Sequence, residues 1–307
     1  MTKVFIDGSA GTTGLRIRER LSGRKDLSLI SLPESFRKDP AARQDALNTA
    51  DVSFLCLPDT AAVEAVSLVS SPDVVIIDTS TAHRTAEGWT YGLPELTGQR
   101  EKIARSGRIA NPGCHASGFI ALIAPLIESG LLDPDIRLSC FSLTGYSGGG
   151  KKMIAEYESE SRDPLLEAPR QYGLSQAHKH LPEMAKVCGL RHAPVFCPVV
   201  APYYAGMEVT VPLTPADTDA SPDRIREVYC SYYHSGMIAF RGDSGEAGFL
   251  SSGAMAGRDD MEISVFGNEE RMLLVSRFDN LGKGASGAAI QNMNLALGMD
   301  ESCGLVR

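Results

Sequence analysis

The sequence predicts a chain in two parts: an α/β half with a parallel, doubly wound sheet up to about residue 114, then an α+β half over 115–284. Three observations carry that expectation. Short β-type runs alternate with helical patterns over the first third of the chain. Those runs are apolar almost throughout, as strands covered on both faces are. Past residue 114, strand patterns follow one another with few helices between them, and no internal repeat or low-complexity linker intervenes.

Taken in order, residues 3–6 (KVFI) read as the first strand and run into DGSAGTTG. Residues 15–21 read as a helix, ended by Gly23. Strands follow at 27–32 (LSLISL) and at 52–57 (VSFLCL), the latter stopped by Pro58. Residues 60–69 form an amphipathic helix with Ala62, Val63, Val66 and Val69 on its apolar side. A fourth strand at 74–77 ends in Asp78-Thr79-Ser80. After Cys114 a helix is expected over 116–128, then strands at 136–144, 195–198, 208–213, 261–266 and 272–278. Ser221-Pro222-Asp223 starts a helix, with an N-cap serine, proline in the first position and an early acid. A last helix at 285–297 has alanine and glycine in its first turns, so the segment 285–307 is expected to pack back closely on the first half.

Composition bounds the function. A chain of 307 residues, 43% hydrophobic and 22% charged, buries a full core without disulfide or metal staples. A formal net charge of −8 argues against nucleic-acid and anionic-membrane partners, while leaving room for a local cationic pocket. Seven scattered cysteines with no CxxC argue against a disulfide framework and for a reducing compartment. No signal-peptide pattern opens the chain, and the apolar stretch at 119–127 is too short to cross a bilayer and contains Pro125. A soluble, cytoplasmic protein is expected.

Gly8, Gly11 and Gly14, with Thr12 and Thr13 between them, lie between the first strand and the first helix. Glycines there let the backbone turn tightly and approach a pyrophosphate at a helix N-terminus, the arrangement of a Rossmann-like dinucleotide-binding domain. The end of the second strand chooses the dinucleotide. NAD readers place an acid there. Here stand Ser31 and Leu32, with Glu34, Arg37 and Lys38 soon after; Arg37 and Lys38 could pair a 2′-phosphate, so NADP(H) is the expected cofactor. Taken singly, either basic residue fits a solvated loop as well.

A second glycine run, GYSGGGKK at 145–152, looks like a P-loop, but Lys152 stands where a Ser or Thr hydroxyl should bind magnesium. A nucleotide hydrolase is therefore set aside. Gly149 and its neighbours with Lys151 still make an anion site.

In ANPGCHASG at 110–118, Pro112-Gly113 ends one segment and Cys114 begins an apolar helical run. A helix N-terminus lowers a thiol pKa, so the position suits a nucleophile; a buried, inert cysteine fits it equally. A base must come from elsewhere. His178, His180 and Glu183 cluster in one loop. Two residues apart, the histidines would share a face of an extended segment, and Glu183 could set an imidazole tautomer. No third and fourth ligand stands at a usual spacing for zinc, so no metal is expected.

Together these segments resemble the N-acetyl-gamma-glutamyl-phosphate reductases of arginine biosynthesis, in their shorter subclass. The resemblance rests on DGSAGTTGL at the start, NPGC at 111–114, HKHLPE at 178–183 and DNLGKGASGAAIQNMNLALG at 279–298. It implies a semialdehyde-dehydrogenase-like fold, with a dinucleotide domain over 1–114 and a catalytic and dimerisation domain over 115–284. It also implies NADPH-dependent reduction of N-acetyl-L-glutamyl 5-phosphate through a thioester on Cys114, with His178 or His180 moving protons. Ser147, Lys151 and Arg84 become candidates for the substrate's phosphate or carboxylate, with Asn111 and Gly149 beside them. Asn280, Lys283 and Gly284 would face the nicotinamide end, and Pro58 and Ser80 would lie where a doubly wound sheet receives its cofactor. The protein would be a homodimer or homotetramer. Two departures stand out. Many relatives carry an aromatic and a proline after the cysteine, whereas here His115 and Ala116 follow, making His115 an alternative base. Gly150-Lys151 stands where longer relatives have an arginine. Three rivals remain: an aspartate-semialdehyde dehydrogenase, a cysteine hydrolase, and a non-catalytic NADP sensor.

Overall fold

The computed structural model describes residues 1–307 except Ser235, Asp243 and Ser244. The chain folds as two compact units, one of residues 1–112 and 285–305, the other of residues 113–284 and 306–307.

The first unit is built on one parallel sheet. Its strands are β1 (Thr2–Asp7), β2 (Leu27–Ile30), β3 (Val52–Leu55), β4 (Val75–Asp78), β5 (Thr90–Tyr91) and β6 (Arg108–Ala110), in the order β2-β1-β3-β4-β6-β5. Between them run α1 (Thr12–Leu21), α2 (Pro40–Thr49), α3 (Asp59–Ser67) and α4 (Gln99–Ala104). Successive strand residues point to opposite faces, and both faces are covered. Val4, Ile6, Phe54 and Ile77 pack with Ile17 and Leu21 of α1. Phe5, Leu55 and Ile76 pack with Ala46 and Leu47 of α2 and Ala62 and Ala65 of α3. The strand order reverses between β1 and β3, and ligands of open α/β sheets bind in the crevice at such a point.

The second unit carries α5 (Cys114–Glu128), β7 (Ser139–Gly145), α6 (Gly150–Glu158), β8 (Arg170–Gln171), α7 (Leu181–Cys188), β9 (Val195–Ala201), β10 (Met207–Leu213), α8 (Pro222–Tyr232), β11 (Ile238–Phe240), β12 (Met261–Asn268) and β13 (Arg271–Phe278). Its strands form a mixed sheet ordered β11-β12-β13-β10-β7-β9-β8. Register places Cys197, Phe141, Thr210 and Val275 side by side on one face. Phe141, Val195 and Leu273 on that face are 49%, 58% and 44% exposed. The opposite face lies under α5, whose carbonyls at Leu122 and Ala121 accept from the hydroxyls of Tyr229 and Tyr233. The chain then returns to the first unit with α9 (Gly287–Ala296), whose Ala289, Ile290 and Met293 join the α1-side cluster.

Short elements β5, α4, β6, β8 and β11 were not expected, and the sequence expectations differ from the structure in two further places. Helix α2 was not expected, because its buried side offers only Ala46 and Leu47 beside the charged Arg43. Its start signals are nonetheless present: Asp39 accepts from the Ala42 N–H and Pro40 takes the first position. The second half also holds more helix than expected, since α6 and α7 interrupt its strands. Among the described residues, no helix is long and apolar enough to cross a membrane.

Candidate active site

Cys114 is the first residue of α5, and Gly113 is its N-cap with extended backbone and no capping side chain. The first N–H groups of a helix have no intrahelical acceptor, and the positive end of its dipole lies there, both favouring a thiolate. The turn before it is pinned from behind. Glu183 Oε1 accepts from the Gly113 N–H at 2.8 Å, and Glu183 is buried. This carboxylate lies in the first turn of α7 rather than in a loop. Gly284 makes room beside Cys114: a Cβ there would sit 2.9 Å from Cys114 Cβ. Cys114 is half-buried. By contrast, burial pushes Cys56 up to about 12 and Cys140 and Cys188 well above the usual thiol range.

His178 and His180 do not form an extended segment. The chain turns there, the His180 N–H donates to His178 Nδ1 at 3.2 Å, and His180 becomes the N-cap of α7. Their rings meet edge-on at 4.8 Å between centroids, with His178 half-buried and His180 buried. His115 packs against both. Its Nδ1 lies 2.6 Å from Ser142 Oγ and its Nε2 lies 2.6 Å from Tyr172 Oη. Burial, with the charge of His178 as a smaller cause, pulls His115 down to about 3. Both ring nitrogens are thus engaged, and burial favours the neutral imidazole. Tyr172 and Ser142 were not anticipated, because no spacing rule links them to Cys114. A charge on Cys114 helps hold the Tyr172 phenol up, after the larger effect of burial.

Elsewhere in this unit, Asn280 Nδ2 donates to Ser147 Oγ at 3.0 Å and its Oδ1 accepts from the Gly206 N–H at 2.9 Å. Ser147 and Asn280 are buried. Gly149 ends the 3-10 turn after β7, where a Cβ would strike the Met153 side chain at 2.4 Å. Lys151 is exposed in the first turn of α6. Lys283 is fully buried in the π turn Gly282–Ser286. Among the described residues, no group of three or more His, Cys, Asp or Glu side chains is placed to hold a metal ion.

In the first unit, a cleft of about 640 Å³ opens beside β1, lined among others by Gly8, Ser9, Ser31, Arg37, Lys38 and Arg43. Gly8 has φ +84°, and a Cβ would lie 2.2 Å from the Cys56 carbonyl oxygen. Gly11 caps α1 without a side chain, and a Cβ on Gly14 would lie 2.5 Å from the Gly8 carbonyl oxygen. These are the demands of a tight turn with the helix pressed against it. Thr12 Oγ1 is buried with no hydrogen-bond partner among the described residues, and Thr13 is half-buried on the same turn. The glycine turn, the orphaned hydroxyl and the basic lining together fit a nicotinamide dinucleotide. Arg43, on the unanticipated α2, ion-pairs with Asp7 at 2.9 Å. Burial pushes the Asp7 carboxyl up, against the pull of Arg43.

Other candidates are engaged within the first unit. Pro58 is the N-cap of α3 and stands outside the cleft lining, where Leu57 and Ala61 appear instead. Ser80 donates twice to the buried Asp78 carboxylate, through its N–H and its hydroxyl. Arg84 donates to the carbonyls of Asn111 and Thr79. Asn111 donates to the Ala285 carbonyl and accepts from Asn292.

Comparison with known proteins agrees with this architecture. Residues 33–106 match the family described as "Semialdehyde dehydrogenase, NAD binding domain", and residues 114–280 match "Semialdehyde dehydrogenase, dimerisation domain". Among solved structures, aspartate semialdehyde dehydrogenase II of Vibrio cholerae superposes with a TM-score of 0.72 at 16% identity, over 97% of this chain and 98% of that one. That likeness is one of fold. The N-acetyl-gamma-glutamyl-phosphate reductase 2 of Nostoc sp. is 45% identical over 99% of both chains. The corresponding enzyme of Pseudomonas putida is 44% identical over 96% of both, and the reductase of Brucella suis 45% identical over 96% of this chain and 99% of its own. The protein is an oxidoreductase with a nicotinamide-dinucleotide domain and a dimerisation domain, and the chain belongs to the N-acetyl-gamma-glutamyl-phosphate reductase family.

Proposed function

We propose that this protein reduces N-acetyl-L-glutamyl 5-phosphate to N-acetyl-L-glutamate 5-semialdehyde with NADPH, in arginine biosynthesis, through a thioester on Cys114. The observation that carries the reading is the setting of Cys114: a half-buried thiol opening α5, on a turn fixed by Glu183, with histidine rings packed in the same unit.

The Cys114 sulfur attacks the acyl carbon, a C–S bond forms, and the C–O bond to phosphate breaks with its electron pair leaving on phosphate. The N–H groups at the start of α5 supply positive potential to the oxygen that gains charge. NADPH, when bound, supplies a hydride to that acyl carbon. Collapse of the reduced adduct then frees the aldehyde and returns the thiol. His178, the more open of the paired histidines, takes the Cys114 proton and later moves the proton of the collapsing adduct, with His180 packed against its ring. Ser147, held by Asn280, presents its hydroxyl to the substrate, and Lys151 adds positive charge for its phosphate.

Ser31, Arg37 and Lys38 line the cleft, and the two basic side chains support NADPH over NADH by offering charge to a 2′-phosphate. The protein assembles as a homodimer or homotetramer through its second unit and works in the cytoplasm.

The reaction run in reverse tests this. Purified protein with N-acetyl-glutamate semialdehyde and NADP⁺ should turn over repeatedly, making NADPH in excess of the enzyme, only when phosphate is present. Activity confined to aspartate semialdehyde would keep the chemistry and overturn the substrate.

A further inference from the structure

Ser142, His115 and Tyr172 form a hydrogen-bonded chain within the second unit, with both links 2.6 Å long. Ser142 on β7 is fully buried, and His115 is 3% exposed. The rings of His178, His180 and Phe196 enclose the imidazole at 5.8, 5.6 and 5.3 Å between centroids. With its pKa down at about 3, His115 stays neutral wherever the enzyme works. A neutral imidazole has a single N–H, so the chain runs in one of two directions.

In the first direction Tyr172 donates to Nε2, Nδ1–H donates to Ser142 Oγ, and the Ser142 proton is left over. No acceptor for it stands among the described residues, and Ser142 has no exposed surface. An orphaned buried donor is costly. In the second direction Ser142 donates to Nδ1, and Nε2–H donates to Tyr172 Oη. The leftover proton is then that of Tyr172, which is only half-buried and within electrostatic reach of Cys114. The second direction satisfies every fully buried group and leaves its free donor where a substrate can take it.

We propose that Ser142 and His115 are positioning residues that fix the Nε2–H tautomer and turn the Tyr172 hydroxyl into a donor for the carbonyl oxygen of the acyl group at Cys114. This rests on the reading of Cys114 as the nucleophile. The donor matters most when that oxygen gains charge, so its loss falls on kcat rather than on cofactor binding. The chain also gives a physical use for a histidine directly after the nucleophile, a place that aromatic packing alone could fill.

Two measurements test the proposal. Nitrogen-15 spectra of histidine-labelled protein should show His115 with Nε2 protonated and Nδ1 bare; an Nδ1–H tautomer overturns it. A double-mutant cycle in the reverse reaction should be non-additive. His115→Leu and Tyr172→Phe should each lower kcat about ten- to a hundredfold with the KM for NADP⁺ unchanged, and the double variant should be no worse than the weaker single one. Losses that multiply would show that His115 only packs. If His115→Leu fails to fold, Ser142→Ala replaces it in the cycle with the same expected non-additivity. His115→Gln, which keeps an N–H for Tyr172, should recover part of the loss. Failure of the underlying reading looks different: Cys114→Ala would then keep phosphate-dependent turnover, whatever the tautomer of His115.

Discussion

Cys114 and His115 are neighbours on one helical turn, yet their environments separate their chemistry. One side chain is half-buried at the helix start, and the other is sealed between Ser142 and Tyr172. The sealed imidazole has a consequence for stability. Its folded pKa, about 3, lies below the unfolded value near 6.5, so between those values the unfolded state binds more protons. Stability contributed by neutral His115 is complete above that window and is lost as pH falls through it. Urea midpoints at about pH 7 and about pH 4.5 should therefore drop more for the wild type than for His115→Gln. Glu183 acts on the same turn through the Gly113 N–H. Glu183→Ala orphans that buried donor and should cost about 1–3 kcal/mol in urea unfolding, with slower alkylation of Cys114, while Glu183→Gln keeps an acceptor and most of the stability.

At the scale of elements, the cofactor cleft is a β-turn-α joint whose glycines are forced by backbone proximity at Gly8 and Gly14. Alanine at Gly8 would meet the β3-end carbonyl of Cys56 and should raise the KM for cofactor well before it unfolds the protein. Arg37→Ala with Lys38→Ala should cut kcat/KM for NADPH about tenfold or more and leave NADH nearly unchanged, narrowing the preference between the two. Arg43→Ala removes the partner of the buried Asp7. Because the folded pKa of Asp7 is already raised by burial, its favourable contribution is present at low pH and is lost as pH rises through that value. The destabilisation of Arg43→Ala should accordingly grow with pH, to about 3–5 kcal/mol once Asp7 is ionised. The first four strands and the glycine turn of this half were legible because both sheet faces are apolar and the turn residues are fixed by sterics, while β5 and β6, of two and three residues, were too short to show a pattern. Helix α2 escaped notice because an ion pair, not an apolar stripe, tethers its inner side.

For the whole molecule, the sequence marks the change of pattern after Cys114, while the partners that assemble around that residue come from far along the chain. Cys114, His178, His180 and Glu183 could be read as motifs because each lies in a short, distinctive run. Ser142 and Tyr172 could not, since their meeting with His115 depends on the register of β7 and the path out of β8. The turn at His178–His180 was hidden for the same reason: alternation along an extended segment was the only local rule available. The outward sheet face carries Phe141, Val195 and Leu273 exposed, and the homo-oligomer proposed above would use this apolar surface. Phe141→Glu with Leu273→Glu should lower the assembly mass seen by sedimentation, leaving the fold of each unit intact. The most direct test of the central claim is a single-turnover experiment without phosphate. N-acetyl-glutamate semialdehyde and NADP⁺ should give a burst of NADPH equal to the enzyme concentration, and digestion should place an N-acetylglutamyl group on Cys114. The absence of a burst in folded protein, or an adduct on any other residue, would contradict Cys114 as the nucleophile.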